Sequence, residues 1–331
     1  MRDNPLVSII VPVYMVEPYV SKCAESLFSQ SYNRIEFIFV DDCSKDNSVD
    51  IVRHLQVSMG IPSERVILIS NQMNKGVNYC RNVGMEKACG EYVLFVDSDD
   101  YIDTDAVERL VETAEKENAD LVVSDFYLDF KGKNIRQSSI YPDLNSPDYL
   151  YGLIKRKYPL GVCGKFFRRS GFTDNNICHP VGIAYGEDMI TTIKFVYHAK
   201  KIVMSDFPFY HYVQGNPTSA CKKIPGNYIE GIMVLEREFY NYFVNRLDVS
   251  VLNACLSVYR QKMRSELLFN TTKVIHREYR DLFKENKCDY RLLPLRERPF
   301  MWLWNHNLIS LAELYIGTYR IAFKLKKKLL G

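Results

Sequence analysis

The chain has 331 residues, 47% of them hydrophobic and 25% charged, and a formal net charge of only +3. These proportions belong to a folded protein long enough to bury a full core, and they exclude a nucleic-acid surface built on bulk positive charge. The nine cysteines are scattered without a Cys-x-x-Cys pair, and Cys178-His179 alone lacks the four spaced ligands of a zinc site.

Free thiols point to a reducing cytosol. The apolar run Leu6 to Val13 follows Asp3, contains Pro12 and lacks a small-residue cleavage site, so it does not read as a signal peptide. No uncharged apolar stretch reaches the ~18 residues needed to span a bilayer. The expectation is a cytoplasmic protein, soluble or resting on the inner face of the plasma membrane.

Leu6 to Val11 reads as a first strand ended by Pro12, and Glu17 to Gln30 as a helix with Val20, Cys23, Ala24, Leu27 and Phe28 on one stripe. A second strand, Ile35 to Val40, runs into Asp41-Asp42. Asp46-Asn47-Ser48 can cap a helix to about Val57. Val66 to Ile69 is a third strand, followed by a helix to Ala88. The fourth, Tyr92 to Val96, breaks into Asp97, Asp99, Asp100 and Asp103. Alternating strands and helices predict an α/β fold, a mostly parallel sheet covered by helices, with ligands outside the carboxyl ends of the strands.

That rule gathers Pro12 to Glu17, Asp41-Asp42 and Asp97 to Asp100 around one crevice. Crowded carboxylates repel, and a hard divalent cation held between one or two of them and substrate phosphates relieves the repulsion. The plainer alternative is a polar loop with Asp103 or Thr104 capping the next helix. The turn after the first strand, Pro12 to Glu17, has no glycine. This excludes a Gly-x-Gly-x-x-Gly dinucleotide turn, and no Walker-type phosphate loop occurs in the chain.

Five segments, taken together, resemble family 2 nucleotide-sugar glycosyltransferases. They are Ser8 to Tyr14, Val40 to Ser48, Asn74-Lys75-Gly76-Val77 with Arg81 to Gly84, Gly90 to Asp100, and Gly186-Glu187-Asp188-Met189. The resemblance implies a GT-A-like (Rossmann-like) fold of the bacterial cell-surface polysaccharide type. It implies Mg²⁺ or Mn²⁺ on Asp99, with Asp97 near the ribose or metal, and Asp97 and Ser98 in the nucleotide site. Asp42 would accept from a uracil-type N–H, with guanosine and thymidine left open. Pro12, Tyr14 and Glu17 would form the other wall, and Arg81 would reach the diphosphate or base, unless it makes only a helix-surface ion pair. Asp188 would be the general base of an inverting transfer; alternatively Glu187 and Asp188 are first-turn acids complementing a helix dipole. His211, near Ser219, would contact metal or phosphate, or be a structural histidine. The donor would be a nucleoside-diphosphate sugar and the acceptor a glycan or lipid-linked glycan. The rivals are a catalytically silent sugar-nucleotide- or membrane-binding subunit and a nucleotidyltransferase.

Asp120 to Leu128 reads as a fifth strand, Lys131 to Asn134 as a turn, Ser138 to Tyr149 as a loop, and Val162 to Phe167 as a further strand. After Pro225 the pattern turns helical: Tyr228 to Phe243, Val251 to Leu268, and Leu308 to about Leu330. In the last helix Leu308, Leu311, Ala312, Tyr315, Tyr319, Ala322 and Phe323 share a face. Arg320, Lys324 and Lys327 lie on another, beside Lys326 and Lys328. This resembles a membrane-surface anchor, or a packed helix with a solvated lysine end. The expected organisation is a nucleotide-sugar-binding half at 1–105, an acceptor and catalytic-base half at 106–222, and a helical extension at 223–331.

Overall fold

The computed structural model describes residues 4–130, 133–183, 186–216, 228–270 and 288–329, with backbone alone at 187, 228, 229, 324 and 326–329. Lys131-Gly132, Ser219, Pro225, the boundary between 222 and 223, and Leu330 lie outside the described residues, as do the side chains of Glu187, Lys324 and Lys326 to Lys328. The chain divides into two compact units, Met1–Leu153 with Lys157–Glu238, and Ile154–Arg156 with Phe239–Gly331.

In the first unit the strands are β1 (Val7–Val13), β2 (Ile35–Asp41), β3 (Val66–Ser70), β4 (Tyr92–Phe95), β5 (Tyr101–Ile102), β6 (Leu121–Val123), β7 (Phe126–Phe130), β8 (Lys133–Gln137), β9 (Lys165–Arg168), β10 (Ile202–Met204) and β11 (Tyr210–Val213). The helices are α1 (Glu17–Phe28), α2 (Ser48–Ser58), α3 (Val77–Lys87), α4 (Ala106–Glu117), α5 (Pro147–Ile154), α6 (Ser170–Thr173) and α7 (Glu187–His198). A seven-stranded sheet in the order β10-β6-β9-β4-β1-β2-β3 is parallel except for β9, which runs against both neighbours. All seven residues of β1 are buried, as helix cover on both faces of a parallel strand requires.

β1 continues through Pro12 to Val13 rather than stopping at the proline. Ile10 O accepts from Val96 N at 3.0 Å on the β4 side. Pro12, two residues on, turns its ring nitrogen to that same side, past the last β4 pair, Ile10 with Phe95. The missing N–H therefore removes no ladder bond. Helix α3 packs on β1 and β2. At Gly84 a Cβ would stand 2.4 Å from Ile10 Cγ2, so only glycine allows that approach.

The expected strand over Asp120 to Leu128 is two strands in two sheets. β6 joins the large sheet, while β7 joins a smaller one ordered β5-β11-β7-β8. The break falls at Ser124-Asp125, where Ser124 Oγ donates to Phe207 O at 2.8 Å and Asp125 takes Arg136 Nη2 at 2.8 Å. Polar side chains with partners of their own end the apolar run there. The strand expected from Val162 starts at Lys165, the loop expected to Tyr149 already turns helical at Pro147, and α4 is preceded by Asp105 rather than capped by Asp103 or Thr104.

The second unit contains α9 (Val249–Asn270), α10 (Arg298–Asn305) and α11 (Ile309–Leu329); α8 (Tyr228–Phe243) precedes them. Its core gathers Leu268, Phe269, Leu293, Phe300, Met301, Trp304, Ala312 and Ile316. Two buried polar links cross between helical segments: Arg264 Nη2 on Asn305 Oδ1 at 2.7 Å and Ser265 Oγ on Glu297 Oε2 at 2.6 Å. The face expected on α11 is split. Ala312, Tyr315 and Tyr319 pack into this core, whereas Leu311, Leu314, Ile321, Phe323 and Leu325 stay exposed. Among the described residues no helix is long and apolar enough to cross a membrane.

Candidate active site

The carboxyl ends of β1, β2 and β4 open into a cleft of about 760 Å³. Of the residues expected there, Pro12, Tyr14, Asp42, Arg81, Asp97, Ser98, Asp99 and Asp188 all line it. Glu17 and His211 do not.

One wall is held largely by main-chain groups. Asp42, 3% exposed, accepts from Lys75 N (2.8 Å) and Asn71 Nδ2 (2.9 Å) on Oδ1 and from Gly76 N (2.7 Å) on Oδ2. The Cys80 thiol hydrogen-bonds the same carboxylate. Tyr14 is 49% exposed and offers a ring face. Next to it Met15 adopts φ +51, a region that costs non-glycine residues energy. It is secured by Ser44 Oγ on its N–H at 3.2 Å and by Lys45 N on its sulfur at 3.2 Å. Glu17 turns away: its carboxylate takes Asn47 N (3.0 Å) and Asn47 Nδ2 (2.9 Å), pinning the start of α1 to that of α2.

The acidic turn after β4 has a division of labour. Asp100 is an anchor, accepting from Tyr210 Oη at 2.7 Å and Val213 N at 2.8 Å, while Asp97 N donates to that same tyrosine oxygen at 3.1 Å. Asp99 accepts from Asn216 Nδ2 at 2.8 Å. Burial, then the neighbouring Asp97, pushes the Asp99 carboxyl above its usual range. Two carboxylates this close beside an open cleft fit a divalent cation, which would offset their repulsion. Among the described residues no three His, Cys, Asp or Glu side chains converge. Asp97 and Asp99 therefore fit a magnesium-type ion completed by substrate oxygens rather than a closed protein cage.

His211 belongs elsewhere. Side chains alternate along β11, and Tyr210 and Tyr212 take the cleft side. His211 points the other way, its ring stacked between Tyr101 and Tyr127 and its Nε2 2.8 Å from Asp103 Oδ1. The metal expectation for it is corrected on that ground.

The opposite wall is built from charges. Arg81, 3% exposed, places Nη2 2.8 Å from Asp97 Oδ1 and Nη1 2.5 Å from Asp188 Oδ1. It is not a surface ion pair: one guanidinium joins the acidic turn to the first turn of α7. Gly186, at φ +80, makes the bend that leads into that turn. Burial raises the Asp188 carboxyl above its ordinary range, against the opposing pull of Arg81. Residues 179–180, upstream of Asp188, are clamped to α3. Asn78 Nδ2 donates to Pro180 O at 2.7 Å, and Asn82 exchanges two 2.8 Å bonds with the His179 backbone. Asn78 escaped the sequence reading, and Asn82 entered it only within the segment Arg81 to Gly84, with no role of its own. Nothing in the sequence marked Asn216.

Parallel strands ending in a carboxylate-lined crevice, with a reversed β9 and a second small sheet, define a GT-A fold. The crystal structure of Staphylococcus aureus TarS residues 1–349 with UDP-GlcNAc shares it, at a TM-score of 0.70 over 96% of this chain and 92% of that one, with 21% identity. Residues 8–175 match the family described as glycosyl transferase family 2, and the chain belongs to that family. The uncharacterized glycosyltransferase EpsJ of Bacillus subtilis is 31% identical over 65% of this chain, a match spanning 62% of the length of EpsJ. The uncharacterized glycosyltransferase YibD of Escherichia coli is 26% identical over 94% of this chain and 96% of its own.

Proposed function

We propose that this protein is an inverting glycosyltransferase that moves a sugar from a UDP-sugar to an acceptor hydroxyl on a surface glycan by single displacement. The observation that carries the reading is the pairing of Asp97 and Asp188, through one buried Arg81, in the same cleft. Tyr14 stacks on the base and Asp42 accepts its N–H, exchanging the Cys80 thiol for it, with Pro12 and Ser98 completing the pocket. Asp99, with Asp97, holds Mg²⁺ or Mn²⁺, which when bound supplies positive charge at the leaving diphosphate. Asp188 takes the proton of the acceptor hydroxyl as that oxygen attacks the anomeric carbon from the face opposite the diphosphate. Arg81 keeps Asp188 and Asp97 in register, and a raised carboxyl is a better proton acceptor at neutral pH.

The uridine donor is supported by the UDP-GlcNAc complex of TarS, and the glycan acceptor by TarS being named a poly(ribitol-phosphate) β-N-acetylglucosaminyltransferase. A lipid-linked acceptor fits the exposed Leu311, Leu314, Ile321 and Leu325 of α11 beside its basic end. On this reading the protein would work at the cytoplasmic face of the membrane. Calorimetric titration of UDP, GDP, dTDP and CMP, with and without Mn²⁺, tests the donor. UDP alone is expected to bind tightly and to need the metal, and Asp99→Ala to lose it. Metal-independent binding of several nucleotides would sink the reading.

A further inference from the structure

Lys165 opens β9 from inside the protein, 2% exposed, and nothing in the proposed reaction uses it. A buried ammonium needs partners. Its Nζ donates to Pro159 O at 3.0 Å and Gly161 O at 2.5 Å, two carbonyls of the loop that leads into the strand. Thr192, on α7, donates from Oγ1 to Leu160 O at 2.8 Å, so three successive carbonyls of this loop are taken from beneath. The same loop faces Asp188. A Cβ on Gly161 would stand 3.8 Å from Asp188 Oδ2, and the Val162 N–H donates to the Asp188 carboxylate.

The charged groups that act on Asp188 are therefore Arg81 from α3, Asp97 from the acidic turn and Lys165 from β9, with the Cys163 thiol beside them. Two cations balance two carboxylates. Arg81 touches both acids directly, while Lys165 touches neither and is held by backbone.

We propose that Lys165 is a positioning residue for Asp188: it fixes the Pro159–Val162 loop so that the Val162 N–H meets the carboxylate, and it sets a second buried cation behind that loop. The proposal rests on Asp188 being the base. A hydroxyl can give up its proton only to an ionised carboxylate in a fixed position, and Lys165 adds to both conditions behind the stronger pull of Arg81. Burial brings the Lys165 ammonium down to about 8, so it stays largely charged at neutral pH.

The test uses the full chain with Mn²⁺ and UDP-GlcNAc, reading UDP release to water between pH 5 and 9, and UDP affinity by calorimetry. Lys165→Met is expected to lower kcat about tenfold or more, and to move the acid limb of the profile up by about one pH unit, because a neighbouring cation has gone. UDP affinity should change less than about threefold, since the nucleotide wall is untouched. Lys165→Gln still donates to one carbonyl but carries no charge, so it should keep the pH shift and regain part of the rate. An unmoved acid limb, or a loss of UDP affinity in step with kcat, would overturn the proposal. If Lys165→Met does not fold, Lys165→Gln decides by its acid limb; failure of both to melt cooperatively would assign the lysine to folding alone and overturn it as well. Asp188→Asn, measured alongside, separates the two levels. If it retains turnover, the base assignment fails, whereas lost turnover there with wild-type kinetics in both lysine variants fails this proposal only.

Discussion

The two walls of the cleft are made differently. On the nucleotide wall a single carboxylate, Asp42, collects backbone N–H groups of a loop, and the surface offered to a ligand is a tyrosine ring and main chain. On the opposite wall Arg81, Asp97, Asp188 and Lys165 form a half-buried charge cluster in which Arg81 pairs with both acids and the others act on Asp188. The first kind of wall selects shape and tolerates small changes in charge. The second sets proton affinity, and removing one member leaves another uncompensated.

Breaking the charged wall should cost most. Asp188→Asn preserves shape and removes the proposed proton acceptor, so turnover should fall by about 10²–10⁴ while UDP affinity in calorimetry stays near that of the wild type. On the nucleotide wall, Asp42→Ala orphans the N–H groups of Lys75 and Gly76. Chemical unfolding should show a loss of about 1–3 kcal/mol, and UDP affinity should drop about tenfold. If Asp42→Ala instead lowered kcat at unchanged affinity, the division between the walls would be wrong. Asn82→Ala releases one of the two clamps on the 179–180 segment. It should cost about 1 kcal/mol of stability and lower kcat several-fold without touching UDP affinity.

The smallest effect should come from pH and charge at Asp99. Its folded carboxyl holds a proton more tightly than the unfolded chain does, so the folded state loses stability as pH rises upward from about 4, the ordinary carboxylate value. In EDTA at pH 7.5, Asp99→Asn should melt a few degrees higher than wild type in a thermal scan. That advantage should shrink towards pH 5 and on adding Mn²⁺ to both proteins. A lower melting point at pH 7.5 would mean that Asn216 and the metal-free turn stabilise the charge after all.

Much of this was legible beforehand because local patterns and the crevice rule agree. The apolar runs of β1, β2 and β4 and the stripe of α1 needed only periodicity, and the crevice rule sent Asp42, Asp97 and Asp99 to the cleft, although Asp41 and Asp100 beside them do not line it. What escaped was set by tertiary direction. His211 shares β11 with two cleft-facing tyrosines, and alternation along the strand would have turned it away had the strand been recognised. Glu17 begins a helix and was spent on Asn47. Lys165 carries no pattern at all, since a buried lysine in a strand looks like any surface lysine until its neighbours are known. The apolar residues of α11 outnumber what one face can bury, and composition could not tell which would be covered.

Helix α3 acts as a gauge block. Arg81 bears on Asp97 and Asp188, while Asn78 and Asn82 grip the segment upstream of Asp188, so one rigid rod sets the spacing between the acidic turn and the proposed proton acceptor. Gly182 and Ile183 line the same cleft without belonging to that rod. Exchanging lining residues outside it should therefore leave that interval as it was, which makes this helix the part of the scaffold to leave alone when specificity is redesigned.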